Sequence, residues 1–133
     1  MDHNTPVATK HAVKNTEALG TTLDVSVEKE SASQRVNFAL HLSNNTKKML
    51  ELRFPNGQTH DFIVLDATGK EVWRWSNGRM FTQAIRTKLL KGRQETVFED
   101  SWSTSGLHGE YTAVAILRSD NHPIQTSVEF VLP

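Results

Sequence analysis

Leu23, Val25 and Val27 alternate with Asp24, Ser26 and Glu28, and Val36, Phe38, Leu40 and Leu42 alternate with Asn37, Ala39 and His41. A period of two puts successive side chains on opposite faces, so each run predicts a strand with one face buried. Leu50, Leu52 and Phe54 predict a third strand, which Pro55-Asn56-Gly57 ends as a β-turn. Phe62 to Leu65 is a continuous apolar run and predicts a strand covered on both faces. A short hairpin loop, Asp66-Ala67-Thr68-Gly69-Lys70, leads into a strand over Val72 to Trp75. The pattern from Gln83 to Leu90 admits either a helical turn or a strand around Ile85 to Leu89. Strands are predicted again over Thr96 to Trp102 and over Tyr111 to Leu117. The last carries Thr126, Val128, Phe130 and Leu132 on one face.

Roughly eight or nine short strands with turn residues between them predict an all-β sandwich or barrel. Gly109-Glu110-Tyr111 favours the sandwich. A tyrosine opening a late strand resembles the corner of immunoglobulin-like folds, where its hydroxyl bonds back to upstream main chain. The expectation is a single antiparallel immunoglobulin-like sandwich over residues 21–133, with Tyr111 in a structural role. Residues 1–20 show no sustained period and little apolar content, so they are expected to form a flexible lead.

Composition narrows the function. Fifteen basic residues balance fifteen acidic ones, giving a net charge of zero. A neutral chain offers no electrostatic reason to bind nucleic acid or an anionic membrane. With no cysteine there is no disulfide, thiolate nucleophile or thiolate metal site. Met1-Asp2-His3-Asn4-Thr5-Pro6 lacks an apolar signal core, so a cytoplasmic location is expected, with export if a leader once preceded Met1. A monomer is favoured.

Catalytic signatures are missing: there is no Gly-x-Ser-x-Gly elbow, His-Glu-x-x-His pair or phosphate loop. Asp61, Asp66, Glu99 and Asp100 flank strands and read as solvated ends, and His41 and His60 read as facing solvent. No histidines stand at metal-ligand spacing, although Met1-Asp2-His3 has the nitrogen donors of a square-planar Cu²⁺ or Ni²⁺ site. No cofactor is expected. Trp73 and Trp75 share a strand face about 7 Å apart. Exposed, they would stack on a sugar or a partner; buried, they are core, and the intervening Arg74 favours burial.

The most distinctive stretch runs from Trp73 to Ala84. It opens as a strand, breaks at Asn77-Gly78, and then mixes basic, sulfur, aromatic and amide groups without a period. Trp73-Arg74-Trp75-Ser76 and Met80-Phe81-Thr82-Gln83-Ala84 stand with Phe54, Gly57-Gln58, Phe62 to Asp66, Leu89, Gly92, Phe98, Trp102 and Gly109-Glu110-Tyr111. In these positions the chain resembles the BsuPI-type intracellular proteinase inhibitor domain, over most of residues 21–132. The resemblance implies an immunoglobulin-like sandwich and a protease as protein partner, in the founding case an intracellular serine protease.

An inhibitor of that kind needs a rigid exposed loop that docks as substrate does. Asn77, Gly78, Arg79, Met80 and Phe81 are the expected inhibitory loop. Arg79 suits a trypsin-like pocket, and Met80 or Phe81 a subtilisin-like or chymotrypsin-like one. Thr82 and Gln83 are expected to brace the loop through its own backbone. Met80 and Phe81 can equally be core side chains, in which case the turn at Asn56, Gly57 and Gln58 is the second candidate contact. The alternative to an inhibitor is a protein- or sugar-binding module of the same fold.

Overall fold

The computed structural model describes residues 5–15 and 18–133. Ten strands follow in order: β1 Thr5–Asn15, β2 Leu19–Lys29, β3 Gln34–Asn44, β4 Leu50–Phe54, β5 His60–Asp66, β6 Glu71–Arg74, β7 Arg86–Leu90, β8 Glu95–Thr104, β9 Gly109–Leu117 and β10 Ile124–Leu132. They form two four-stranded antiparallel sheets, ordered β1-β2-β3-β8 and β10-β9-β5-β6, and a two-stranded sheet, β4-β7. The fold is an all-β sandwich, compatible with an immunoglobulin-like arrangement.

The core lies between the two large sheets, where the period of two predicts it. Leu23, Val25 and Val27 of β2 and Val36, Phe38, Leu40 and Leu42 of β3 face Tyr111, Ala113 and Ala115 of β9 and Phe130 and Leu132 of β10. Burying a side chain of this size contributes about 1.5–3 kcal/mol, so this interdigitated layer dominates stability. β5 is central in its sheet and buried on both faces, as its unbroken apolar run requires. The ambiguous segment before Leu90 resolves as strand β7 on β4.

The N-terminal expectation differs over Thr5–Asn15, where the chain forms an edge strand paired with β2. Thr9, Lys10, His11, Val13 and Asn15 are exposed, so the pairing rests on main-chain hydrogen bonds and leaves no hydrophobic period to read. A bulge between Val64 and Leu65 places Trp73 opposite Val64 and turns Val72 outward. Trp73 therefore joins the core face, and beyond Arg74 the chain leaves the strand as a loop.

Candidate functional site

The loop after β6 is built by two successive turns. Asn77 N donates to Arg74 O at 3.2 Å, and Arg79 N donates to Ser76 O at 3.1 Å. Gly78, at φ 78°, supplies the left-handed position of the second turn. From Arg79 to Thr82 the chain then runs without turn or bend.

Beneath this loop lies Asp61, which is 0% exposed. Its carboxylate accepts from Ser76 N at 3.1 Å, Ser76 Oγ at 2.6 Å and Arg74 Nη1 at 3.2 Å. Phe62 N donates to it at 3.0 Å and Gln58 Nε2 at 3.4 Å. A buried carboxylate needs this many donors to offset lost hydration. Glu71, and secondarily Asp61, raise the Arg74 pKa above its ordinary value against the opposing effect of desolvation. Asp61 therefore ties the start of the loop to β5 and β6, and it is no solvated strand end.

His60 also departs from expectation. It is 8% exposed, with Nε2 2.8 Å from Asp100 Oδ2 and Nδ1 2.9 Å from Thr59 Oγ1. Its ring stacks on Trp75 at 4.5 Å and on Phe98 at 4.7 Å. Asp100 is half-buried against it rather than solvated. The sequence signal for His60 and Asp61 was the run that follows them: if β5 is covered on both faces, the two polar residues that open it are covered too. His41 is exposed as expected, 3.0 Å from Asp24.

These contacts extend an aromatic column out of the core. Trp102 stacks on Trp73, Trp73 on Phe38 and Phe38 on Phe62, at 5.3–5.6 Å. His60 and Trp75 continue it, and Phe81 of the loop rests on Trp75 at 5.9 Å. Both tryptophans are partly buried and engaged within the chain, so they form no open stacking platform. The indole Nε1 of Trp75 is buried without a hydrogen-bond partner among the described residues.

The expected loop residues separate into three kinds. Asn77 and Gly78 are exposed and form the turns. Arg79 is exposed but engaged: its Nε donates to Trp75 O at 2.9 Å, and its Cζ lies 4.4 Å from the Trp75 ring centroid. Met80 is 98% exposed, whereas Phe81 is half-buried.

The brace at Thr82 differs from the expected one. Thr82 O accepts from Gly57 N at 2.8 Å, so the loop is fastened to the neighbouring turn rather than to itself. Neither Thr82 nor Gln83 makes a side-chain hydrogen bond among the described residues. Asn56 Oδ1 accepts from Gln58 N at 2.8 Å and shapes that turn. A Cβ on Gly57 would lie 2.6 Å from Thr82 Oγ1, so glycine permits the close approach. The two candidate contact segments are thus adjacent and joined.

Tyr111 is buried at the start of β9, its hydroxyl 3.5 Å from His108 O. That is a long corner contact at the crossing from β8 to β9. Among the described residues no group of three or more His, Asp or Glu stands together to hold a metal. Met1-Asp2-His3 lies outside the described residues.

Residues 22–122 match the model of the BsuPI intracellular proteinase inhibitor family. The chain belongs to the intracellular proteinase inhibitor (BsuPI) family. Such membership implies a protease as partner and an inhibitor rather than an enzyme. No curated protein matches. Among solved structures, a structural genomics target, SoR45, shares 11% identity over 95% of this chain and 84% of its own, with TM-score 0.43. A β-glucosidase, EmGH1, from Erythrobacter marinus shares 12% over 94% of this chain and 16% of its own, with TM-score 0.42. A protein from Archaeoglobus fulgidus shares 7% over 97% and 98%, with TM-score 0.40. Likenesses this distant carry no functional argument.

Proposed function

We propose that this inhibitor acts on a serine protease without covalent chemistry, by docking Asn77, Gly78, Arg79, Met80 and Phe81 into the enzyme's cleft as a substrate-like segment. Asn56, Gly57 and Gln58 buttress the loop from behind. The inhibitory unit is the whole sandwich from β1 to β10, immunoglobulin-like and monomeric, acting inside the cell.

The observation that carries the reading is a loop held at both ends with its middle free. Asp61 holds Ser76, Trp75 holds Arg79 and Phe81, and Gly57 holds Thr82. Between the anchors no hydrogen bond occupies the main chain of Met80 among the described residues. A protease cleft recognises extended chain through such main-chain groups. Because the loop is already ordered, little conformational entropy is lost on docking, which favours tight binding.

The test is inhibition of a subtilisin-type and a trypsin-type protease by the purified chain, with competition against a peptide substrate. Competitive inhibition of either supports the proposal. Activity of both enzymes unchanged by the folded chain contradicts it.

A further inference from the structure

We infer that Met80 is the side chain that enters the protease's primary specificity pocket, so the enzyme inhibited has a deep apolar pocket, and that Arg79 is a brace rather than a specificity residue. The inference rests on the inhibitor reading above and chooses among three adjacent side chains that the sequence leaves equal.

Arg79 is already engaged. To fill an acidic pocket its guanidinium would have to leave the Trp75 ring, 4.4 Å from the centroid, and its Nε would have to release the Trp75 carbonyl at 2.9 Å. A cation so placed on an indole face is attracted by the ring quadrupole, and that attraction would be lost on docking. Phe81 is half-buried and packs inward on Trp75, so presenting it would dismantle the platform on which the loop stands.

Met80 has neither tie. It is 98% exposed, between Arg79, which lies on the Trp75 ring, and the half-buried Phe81. Exposing one large apolar side chain is ordinary. The position is distinguished by three further facts: the chain around it runs without turn or bend, its main-chain groups are unpaired among the described residues, and anchors stand one or two residues away on each side.

The chemistry of the pocket follows. Methionine is unbranched at Cβ and carries a flexible, polarisable thioether, so it fits a long apolar pocket and adapts to its shape. It offers nothing to a carboxylate at the pocket base, so an enzyme selecting arginine or lysine would gain little from it. The enzyme class is therefore subtilisin-like or chymotrypsin-like in its primary pocket.

Inhibition constants of the wild type, Met80→Ala, Met80→Lys and Arg79→Ala, measured against both a subtilisin-type and a trypsin-type protease, test the assignment. Met80→Ala is expected to weaken inhibition of the apolar-pocket enzyme about 10- to 100-fold, the effect of removing one buried side chain. Met80→Lys is expected to move the preference toward the trypsin-type enzyme. Arg79→Ala is expected to weaken inhibition of both enzymes without changing their order. If the wild type inhibits the trypsin-type enzyme through Arg79, or Met80→Ala keeps full potency, the assignment is overturned while the inhibitor reading stands. If the wild type inhibits neither enzyme, both fall together.

Discussion

Two corners of this molecule use the same device, and under the proposed function they serve different ends. At one, Asn44 is 1% exposed; its Nδ2 reaches the carbonyls of Lys48, Leu90 and Lys91 at 2.7–3.1 Å, while its Oδ1 accepts from Thr46 N and Oγ1. At the other, Asp61 gathers Ser76, Arg74, Gln58 and Phe62 N. Each has a glycine where two main chains meet closely: Gly92 against Lys47, and Gly57 against Thr82. The difference is what the corner leaves outside. Beside Asn44, Met49 keeps nearly half its surface covered, at 56% exposed; above Asp61, Met80 is 98% exposed on an unpaired stretch of chain. A buried polar hub does not by itself mark a functional site. In the proposed reading the mark is a side chain and main chain anchored on both sides and left unpaired among the described residues.

The sharpest way to break the comparison is to remove each hub. Asp61→Ala leaves Ser76 N and Oγ without their acceptor and leaves Arg74 with Glu71 as its remaining carboxylate, so a loss of about 3 kcal/mol is expected in denaturant unfolding, with inhibition abolished. Asn44→Ala orphans buried carbonyls and should destabilise by about 2 kcal/mol, while the fraction that stays folded inhibits as the wild type does. Equal loss of inhibition per folded molecule in both variants would show that the two corners do not differ in function.

Smaller substitutions sharpen it. In Gly92→Ala the new Cβ meets the Lys47 carbonyl, which is main chain and cannot easily yield, so about 1–3 kcal/mol is expected with inhibition kept. In Gly57→Ala it meets the Thr82 hydroxyl, a side chain that can rotate, and the Thr82 main-chain nitrogen at 3.0 Å. Stability should change less there and inhibition more, because the loop's rear anchor moves. The two glycine variants should thus rank oppositely in melting temperature and in inhibition constant.

The smallest effect lies in the hairpin between β5 and β6. Hydrogen bonds, first from Thr68 Oγ1 and then from Lys70 N, hold the Asp66 carboxyl below its ordinary pKa. A depressed folded value stabilises above the unfolded pKa, and that contribution is lost as pH falls through the folded one. Asp66→Ala should therefore lower the melting temperature slightly above about pH 4, with the gap narrowing below it. A gap independent of pH would contradict this account.

Most strands were legible because a half-covered strand writes its burial into a period of two. β2, β3, β9 and β10 follow it almost residue by residue. β1 was not legible, since an edge held by main-chain bonds imposes no apolar rhythm on its side chains. At the site, the loop boundaries could be read from Asn77-Gly78 and from the loss of alternation. The supports could not: Asp61 and His60 look like polar strand ends until Ser76, Trp75 and Asp100 converge on them from other strands. Which of Arg79, Met80 and Phe81 points outward depends on where the Trp75 ring lies, a tertiary fact that no local pattern contains.

The most direct test of the account is to hold the purified chain with a subtilisin-type protease and follow both residual activity and intact mass over hours. The account predicts inhibition that persists, with at most one slow cut, between Met80 and Phe81. Rapid cutting within residues 77–81 with recovery of activity, or an uninhibited enzyme beside an intact chain, would contradict it.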